Sequence, residues 1–427
     1  MDRIKQFGQN TFSSLSIRNY RLYFVGQAIS LSGTWMQTIA QGWLVLQITN
    51  SGTQLGIVVA LQFLPLLFFG PWGGLIADRY NKRHILFYTQ GAFAVVTLCL
   101  SVLVLSGTVQ LWELYIFSLL FGVGRVFDNP ARQTFVTEMV GPEHLKNAVS
   151  LNATVNNMAR AVGPSISGIL IAGVGIGYCF LINALSFLVA MFVLYLMRVS
   201  ELHTPKPIPK GPGELQEGFR YVLATPLIRN TLIMMALVGT FVFEFQVSLP
   251  IFAQQTFHGD VANYALLMSA MGLGSVMGGL FAAGRSKIAP QQLLFFLFFS
   301  AMSLVAAASM PTLPLAAAAM CVVGFFTINA TSLANTMIQL ESVPSMRGRV
   351  MALWSMAMMG STPIGGPIVG FVGEYAGGRW GVALGGLAAL AAAVFGFLTL
   401  RQKPEANIPE SVQAAAEVAT GEHAKHV

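Results

Sequence analysis

The chain has 427 residues, of which 55% are hydrophobic and only 10% charged, with 43 glycines. Charged residues make up about a quarter of an ordinary soluble domain, so this composition excludes a soluble globule and places the chain in a lipid bilayer. The formal charge of +7 comes from 24 Lys and Arg against 17 Asp and Glu, and what it implies depends on where the cations sit.

Residues 1–20 read as a polar cytoplasmic segment without a cleavable signal. A hydrocarbon core about 30 Å thick needs about 20 residues of helix, and lipid offers backbone amides no other partner than a helix or a closed barrel. Apolar runs of that length predict spans near 21–46, 55–77, 84–106, 111–132, 148–173, 178–197, 229–252, 263–284, 290–310, 313–336, 350–373 and 380–400. The expected fold is therefore all-α and polytopic, with twelve transmembrane helices. Between the sixth and seventh spans lies a polar segment, 198–228, in which Leu215, Phe219 and Leu223 recur at helical spacing against Glu214, Glu217 and Arg220. That pattern predicts an amphipathic helix at the cytoplasmic surface. Residues 401–427, rich in Ala, Glu and Pro, read as a disordered cytoplasmic tail.

Signals recur on either side of the central segment. A shift of 202 positions lays Pro142 on Pro344, Leu151 on Leu353, Gly163 on Gly365, Ile166 on Ile368 and Gly168 on Gly370. Two six-helix bundles, 21–197 and 229–400, related by pseudo-symmetry are the simplest reading. With the N-terminus cytoplasmic, 21 of the 24 cations fall in inside segments and only Arg379 outside, Arg125 and Arg160 lying within spans. The positive charge is thus mainly topological, placing both termini in the cytoplasm and giving no support to a nucleic-acid partner.

Other classes are excluded by missing chemistry. Cys99, Cys179 and Cys321 lie in apolar runs without metal spacing. The six histidines fall in predicted loops or the tail, with no H-E-x-x-H, and no G-x-x-x-x-G-K-[ST] loop is present for ATP. No cofactor, metal or enzymatic activity is expected, and the chain is expected to act as a monomer.

Ionisable groups within spans are costly and turn toward cavities or partners. Asp128 and Glu244 are the acidic residues well inside spans. Glu244 can carry a proton, or it can be a structural carboxylate bonded to a neighbouring helix. Arg125 stands three residues before Asp128, where the two can neutralise each other, whereas Arg160 has no acidic neighbour on its own helix. Polar stripes at helical spacing mark inward faces: Gln27, Ser30, Thr34, Gln37 and Gln41 on the first span, Asn152, Asn156 and Arg160 on the fifth, and Asn329, Ser332, Thr336 and Gln339 on the tenth. Thr240 lies one turn before Glu244. These residues line a cavity or make interhelical hydrogen bonds, with Trp35, Trp43, Phe241 and Phe245 as candidate apolar walls.

The stretch Gly73-Gly74-Leu-Ile-Ala-Asp78-Arg79-Tyr-Asn81-Lys82-Arg83 resembles the signature G-x-x-x-D-R-x-G-[RK]-[RK] between helices two and three of the major facilitator superfamily. Gly74, Asp78, Arg79, Lys82 and Arg83 match it, and Asn81 stands for the second Gly, a substitution suited to a left-handed turn. The resemblance extends over about residues 15–400 and implies a cytoplasmic latch, in which Gly74 lets helices approach and a fourth-helix acid, Asp128 here, receives the cluster. On a simpler reading Arg79, Lys82 and Arg83 anchor the loop at lipid headgroups. On the fifth span, Arg160-Ala-Val-Gly163-Pro164-Ser-Ile-Ser-Gly168 partly resembles the superfamily's exporter signature. It implies a hinge of Gly163, Pro164 and Gly168 packed on Gly365, Gly366 and Pro367 of the eleventh span.

Together with Phe127-Asp-Asn-Pro-Ala-Arg-Gln-Thr-Phe135, these motifs resemble the branch of enterobactin exporters and macrolide efflux proteins. The resemblance implies proton-coupled export of an amphiphilic small molecule, such as a drug, a macrolide or a siderophore-like solute, with membrane lipids as surroundings. The alternatives are a lysophospholipid flippase of the same fold and a receptor or scaffold that does not transport.

Overall fold

The structure, a computed structural model, describes residues 13–203, 214–285, 288–343 and 346–400. The stretches 1–12, 204–213 and 401–427, and the side chains of Asp78 and of 214–216, lie outside the described residues. The expected tail, part of the central polar segment and the Asp78 carboxylate fall among these.

No strand occurs among the described residues, which form fourteen α-helices. They are α1 (Arg18–Thr49), α2 (Gly52–Arg79), α3 (Lys82–Leu105), α4 (Leu111–Val174), α5 (Ile176–Leu196), α6 (Glu214–Ala224) and α7 (Pro226–Leu237). After a π-turn at Val238–Val242 come α8 (Phe245–Phe257), α9 (Val261–Ala283), α10 (Pro290–Ser309), α11 (Leu313–Glu341), α12 (Arg347–Met359), α13 (Thr362–Tyr375) and α14 (Gly378–Leu400). The difference from the twelve expected rods has local causes. Residues 133–147, expected as a loop, continue the helix, so the fourth and fifth spans merge into α4. The backbone breaks there at Gly141 alone, with φ 67° and ψ 178°, a conformation that a Cβ all but forbids. The seventh span divides at the π-turn and the eleventh at Gly360 and Ser361, while α6 is the expected amphipathic helix.

Eight spans are long and apolar enough to cross a membrane by composition. The stretches that fall short are α1, the two arms of α4 and the broken α12–α13. α12 and α13 fall short because the break at Gly360 and Ser361 leaves 13 and 14 residues on either side; α1 and both arms of α4 carry polar residues that line the central cavity described below.

Hydrogen bonds fix which ends meet. At one end Asn19 and Arg198 exchange bonds of 2.9 and 3.0 Å, and Arg83 Nε donates to the Leu194 carbonyl at 2.8 Å. This is the basic end. At the opposite end Ser51 N-caps α2, and Asp260 N-caps α9 through the amides of Ala262 and Asn263. Helices α1–α5 pack chiefly on one another, as do α7–α14, and the two groups meet along α2 with α13, α4 with α9, and α1 with α8.

Glycines set how closely those helices approach. A Cβ on Gly163 would lie 2.6 Å from Trp35 Cβ of α1, and one on Gly365 would lie 1.7 Å from the Thr240 carbonyl; a Cβ on Gly168 would meet Ala265 of α9 at 3.0 Å, and one on Gly370 would meet the Gly52 carbonyl of α2 at 2.2 Å. The expected contact of Gly163 and Gly168 with the eleventh span does not form. Gly163 and Gly365 instead pack within their own groups of helices, on Trp35 and on Thr240, while Gly168 and Gly370 reach across to α9 and α2 of the other group. The backbone also stays helical through Pro164, the breaks lying elsewhere.

Candidate functional site

A cavity of about 720 Å³ lies between the two groups of helices. Along α1 its wall runs from Tyr23 to Thr38, roughly 22 Å at 1.5 Å per residue. It thus occupies the part of the bundle nearer the basic end. Towards the opposite end α2 and α13 close together, with a Cβ on Gly56 only 2.3 Å from the Gly366 carbonyl.

The wall formed by α1–α4 is cationic and aromatic. Arg125 lies over the rings of Phe63 and Phe121, 5.6 and 5.4 Å from their centroids, and Arg160 lies 5.1 Å over Trp35. Such stacking suits a planar, weakly hydrated guanidinium. Neither has an ion-pair partner among the described residues, and Arg160 Nε has no hydrogen-bond partner there. The expected neutralisation of Arg125 by Asp128 is not the arrangement found. Asp128 is bound by Arg132 one turn on, at 2.8 Å, and also accepts from Thr89 Oγ1 at 2.9 Å and Gln90 Nε2 at 2.8 Å. The i, i+4 spacing from Asp128 to Arg132 is legible in the sequence.

Of the polar positions singled out above, Gln27, Thr34, Asn152, Asn156, Arg125 and Arg160 do line the cavity. Gln37 does not. Its Oε1 accepts from Asn183 Nδ2 at 2.5 Å and Thr97 Oγ1 at 3.3 Å. Gln41 donates to Ser118 Oγ at 2.7 Å. Asn329 is fully buried, donating to the Gly278 and Phe325 carbonyls and accepting from Arg285, while Thr240 and Thr336 bond the carbonyls one turn before them. These five make interhelical or local hydrogen bonds away from the wall. The facing wall includes Phe243, Phe245, Met268, Met271, Met358 and Met359, with Gln246, Ser275, Thr327, Ser355 and Thr362 as its polar members. No regular stripe announces such a surface, because its Phe and Met residues look like any other apolar face.

Glu244 follows the π-turn and is only 2% exposed. Its neighbours Phe243 and Phe245 reach the cavity, but its own carboxyl turns toward α13, where it takes a hydrogen bond from Thr362 and lies close to Gly366. Oε1 has no hydrogen-bond partner among the described residues. The breaks in the seventh and eleventh spans therefore meet at this carboxyl, and a π-turn in that position shifts Glu244 off the face it would share with Thr240.

At the basic end the motif residues separate. Lys82 is buried and pairs with Glu138 at 2.8 Å, so the acid that Lys82 meets on the fourth helix is Glu138, while Asp128 is held by Arg132. Glu138 lay in the stretch expected as a loop. Arg83 caps the end of α5 through the Leu194 and Tyr195 carbonyls, and Arg79 is exposed. The close approach assigned to Gly74 belongs to Gly73: a Cβ on Gly73 would lie 2.0 Å from the Val126 carbonyl, whereas one on Gly74 meets nothing within 4 Å. Asn81 has φ −64°, not a left-handed turn, and caps α3 by accepting from the His84 amide.

Helices too long and apolar for water surround an internal cavity sealed at one end, and the family match below makes the chain a multi-pass membrane transporter of the major facilitator superfamily. The chain belongs to the transmembrane secretion effector family, whose profile matches residues 9–421. It is similar to the staphyloferrin A transporter of Staphylococcus aureus, 24% identical over 61% of this chain and 66% of that protein, so the match spans just under two thirds of that relative's length. It is also similar to the enterobactin exporter EntS of Salmonella typhi, 26% identical over 83% of this chain and 85% of that one. Among solved structures, a bacterial homologue of the human lysosomal transporter Spinster, in an inward-facing and unoccupied conformation, superposes with a TM-score of 0.72 at 16% identity over 90% of this chain and 97% of that one. That likeness is one of fold. The relatives are bacterial, and the chain is a multi-pass protein of the inner membrane.

Proposed function

We propose that this protein is a secondary transporter that exports an amphiphilic, anionic small molecule, siderophore-like in character, in exchange for protons. The observation that carries the reading is the pair Arg125 and Arg160, held against aromatic rings in the cavity wall without carboxylate partners among the described residues. A buried guanidinium without a counter-ion is costly, and an anionic ligand lowers that cost. The methionine and phenylalanine wall opposite suits the apolar part of an amphiphile, because the unbranched thioether adapts to varied shapes. Relatives named for the export of enterobactin and the transport of staphyloferrin A fit such a solute.

The proposed architecture is twelve spans in two pseudo-symmetric bundles, 21–197 and 229–400, joined by 198–228, acting as a monomer with both termini cytoplasmic. The paired glycine contacts and the concentration of cations at one end support it. Transport then proceeds by alternating access: the cavity loads from the basic, cytoplasmic end, and release requires α2 and α13 to part. Glu244, closed off beside that seam at the breaks of two spans, is the proposed proton carrier. Asp78, Arg79, Lys82 and Arg83, with Glu138, form the proposed cytoplasmic latch.

The test is efflux from proteoliposomes under an imposed pH gradient, screening anionic, neutral and cationic amphiphiles and a lysophospholipid. Gradient-dependent efflux of anionic solutes is expected. Movement of the lysophospholipid alone would favour the flippase, and no solute-dependent proton flux would favour a receptor or scaffold.

A further inference from the structure

The seal opposite the basic end is made by two glycine pairs at matched spacing. Gly52 and Gly56 on α2 meet Gly370 and Gly366 on α13, close enough that a Cβ on Gly52 would lie 2.7 Å from the Gly370 carbonyl. Small residues four apart on both helices give broad backbone contact but little to hold it at its edge. The edge is where α2 begins, and there the first amides of the helix lack intrahelical partners. Ser51 N-caps α2 by accepting from the Gln54 amide at 3.2 Å, and its hydroxyl donates onward to Glu374 Oε2 of α13 at 2.7 Å; the same carboxylate oxygen accepts from the Thr53 amide at 2.9 Å. A carboxylate from one group of helices thus completes the N-terminal cap of a helix in the other. Nearby, Gln254 of α8 donates to Asn50 at 3.3 Å, so the turn between α1 and α2 is gripped from two helices of the second group.

From this geometry we infer that Glu374 is the latch of the seal at the end opposite the basic residues, holding α2 to α13 until the transporter turns outward. The inference rests on the alternating access proposed above, and on neither the substrate nor the coupling ion. Glu374 lies one residue beyond the span 350–373, at the aqueous rim. Burial pushes its carboxyl up, but hydrogen bonds from Ser51, Thr53 and Gly52 outweigh burial and hold it below the ordinary value. The other charged or titratable groups on the elements packed around it are directed elsewhere: Arg379 of α14 donates to the Ala308 carbonyl, Asp260 caps α9, and Tyr115 of α4 bonds Gln54. His258 ends α8 in a left-handed conformation, and the first turn of α2 carries no acidic or basic residue.

The latch can be tested without a substrate. Ile251 is 1% exposed and packs against Gly52 and Gly373 beneath the seal, so an Ile251→Cys thiol is reachable from outside only when α2 and α13 part. Its labelling by a charged, impermeant maleimide added to intact cells is read relative to an exposed Thr108→Cys reference on the same side, with the native cysteines' signal subtracted. Adding Glu374→Gln is expected to raise the ratio about five- to tenfold, and Ser51→Ala is expected to raise it less. Gly56→Leu, which wedges the seam, is the positive control. If Gly56→Leu raises labelling and Glu374→Gln does not, the seal parts but Glu374 is no latch. If neither raises it, alternating access at this seam fails together with the latch. A rise in Glu374→Gln accompanied by loss of folded protein in detergent assigns the effect to misfolding and also overturns the inference.

Discussion

Lys82 and Glu138 form a buried ion pair, with Nζ 2.8 Å from Oε1 and side chains only 10% and 4% exposed. It ties the start of α3 to α4 beside the carbonyl of Glu138, which accepts from the His203 amide at 2.7 Å and so also anchors the chain leaving α5. Removing one partner leaves an uncompensated buried charge, typically at a cost of about 3–5 kcal/mol, while replacing both with apolar residues is close to neutral. Glu138→Leu is therefore expected to lower the thermal unfolding midpoint in detergent markedly. Lys82→Met with Glu138→Leu should recover most of the loss. Equal losses in the single and double variants would show that the pair is not the source of the effect.

The two adjacent glycines of the motif should respond oppositely to the same small change. Gly73→Ala drives a methyl group into the Val126 carbonyl, 2.0 Å away, and Gly74→Ala meets open space. Overpacking of this kind costs about 1–3 kcal/mol. Gly73→Ala should reduce folded yield and melting temperature, while Gly74→Ala should match the parent in both. A destabilised Gly74→Ala with an unaffected Gly73→Ala would contradict the helix contact.

Glu244→Gln keeps the shape at the junction of α8 and α13 while removing the titrating proton. Solute binding should persist, and efflux driven by a pH gradient should fall to the level seen without a gradient. Proteoliposomes report both quantities separately. Full gradient-driven efflux by this variant would remove Glu244 from the coupling step.

Arg160 stands over Trp35 with Nε unpaired. Arg160→Ala should weaken anionic solutes about tenfold or more and cationic ones little, since a charge-assisted contact contributes about 1.5–3 kcal/mol. Binding measured across a matched set of charged amphiphiles decides the matter. Equal losses for both charges would mean that Arg160 shapes the wall without selecting an anion.

The Glu374 contact has a defined pH response. Its carboxyl is lower in the closed seal than when free, so the charged form stabilises the seal. That stabilisation is complete above the free value near pH ~4.3 and is lost as the pH falls through the lower, sealed value. Labelling of Ile251→Cys, corrected with the reference thiol, should stay flat from about pH 8 to pH 5 and rise only below about pH 4. The Glu374→Gln variant should be high and flat throughout. A midpoint near neutrality would contradict Glu374 as the titrating group.

Several features of the site were legible in residues taken in order. The runs of about twenty apolar residues, the cations gathered between alternate runs, and the isolated Arg160 and Glu244 each follow from lipid's inability to solvate a charge or a bare amide. The polar stripe on α1 was equally plain, but its use was not. Gln27 and Thr34 face the cavity while Gln37 and Gln41 bond Asn183 and Ser118, because a stripe gives direction around a helix and says nothing of what lies opposite at each level. Glu138 escaped notice for a different reason: its partner is 56 residues away, and no local spacing marks such a pair.

What the sequence determined by itself was a set of apolar helices and the glycines spaced along them, since hydropathy and residue spacing act along one chain. Which glycine bears a neighbouring helix, which acid answers Lys82, how Arg132 leaves Arg125 unpaired, and that a carboxylate on α13 caps α2 were decided only when helices distant in sequence were packed together. Their contacts depend on distances of a few ångströms between separate segments, and no pattern within one segment encodes those.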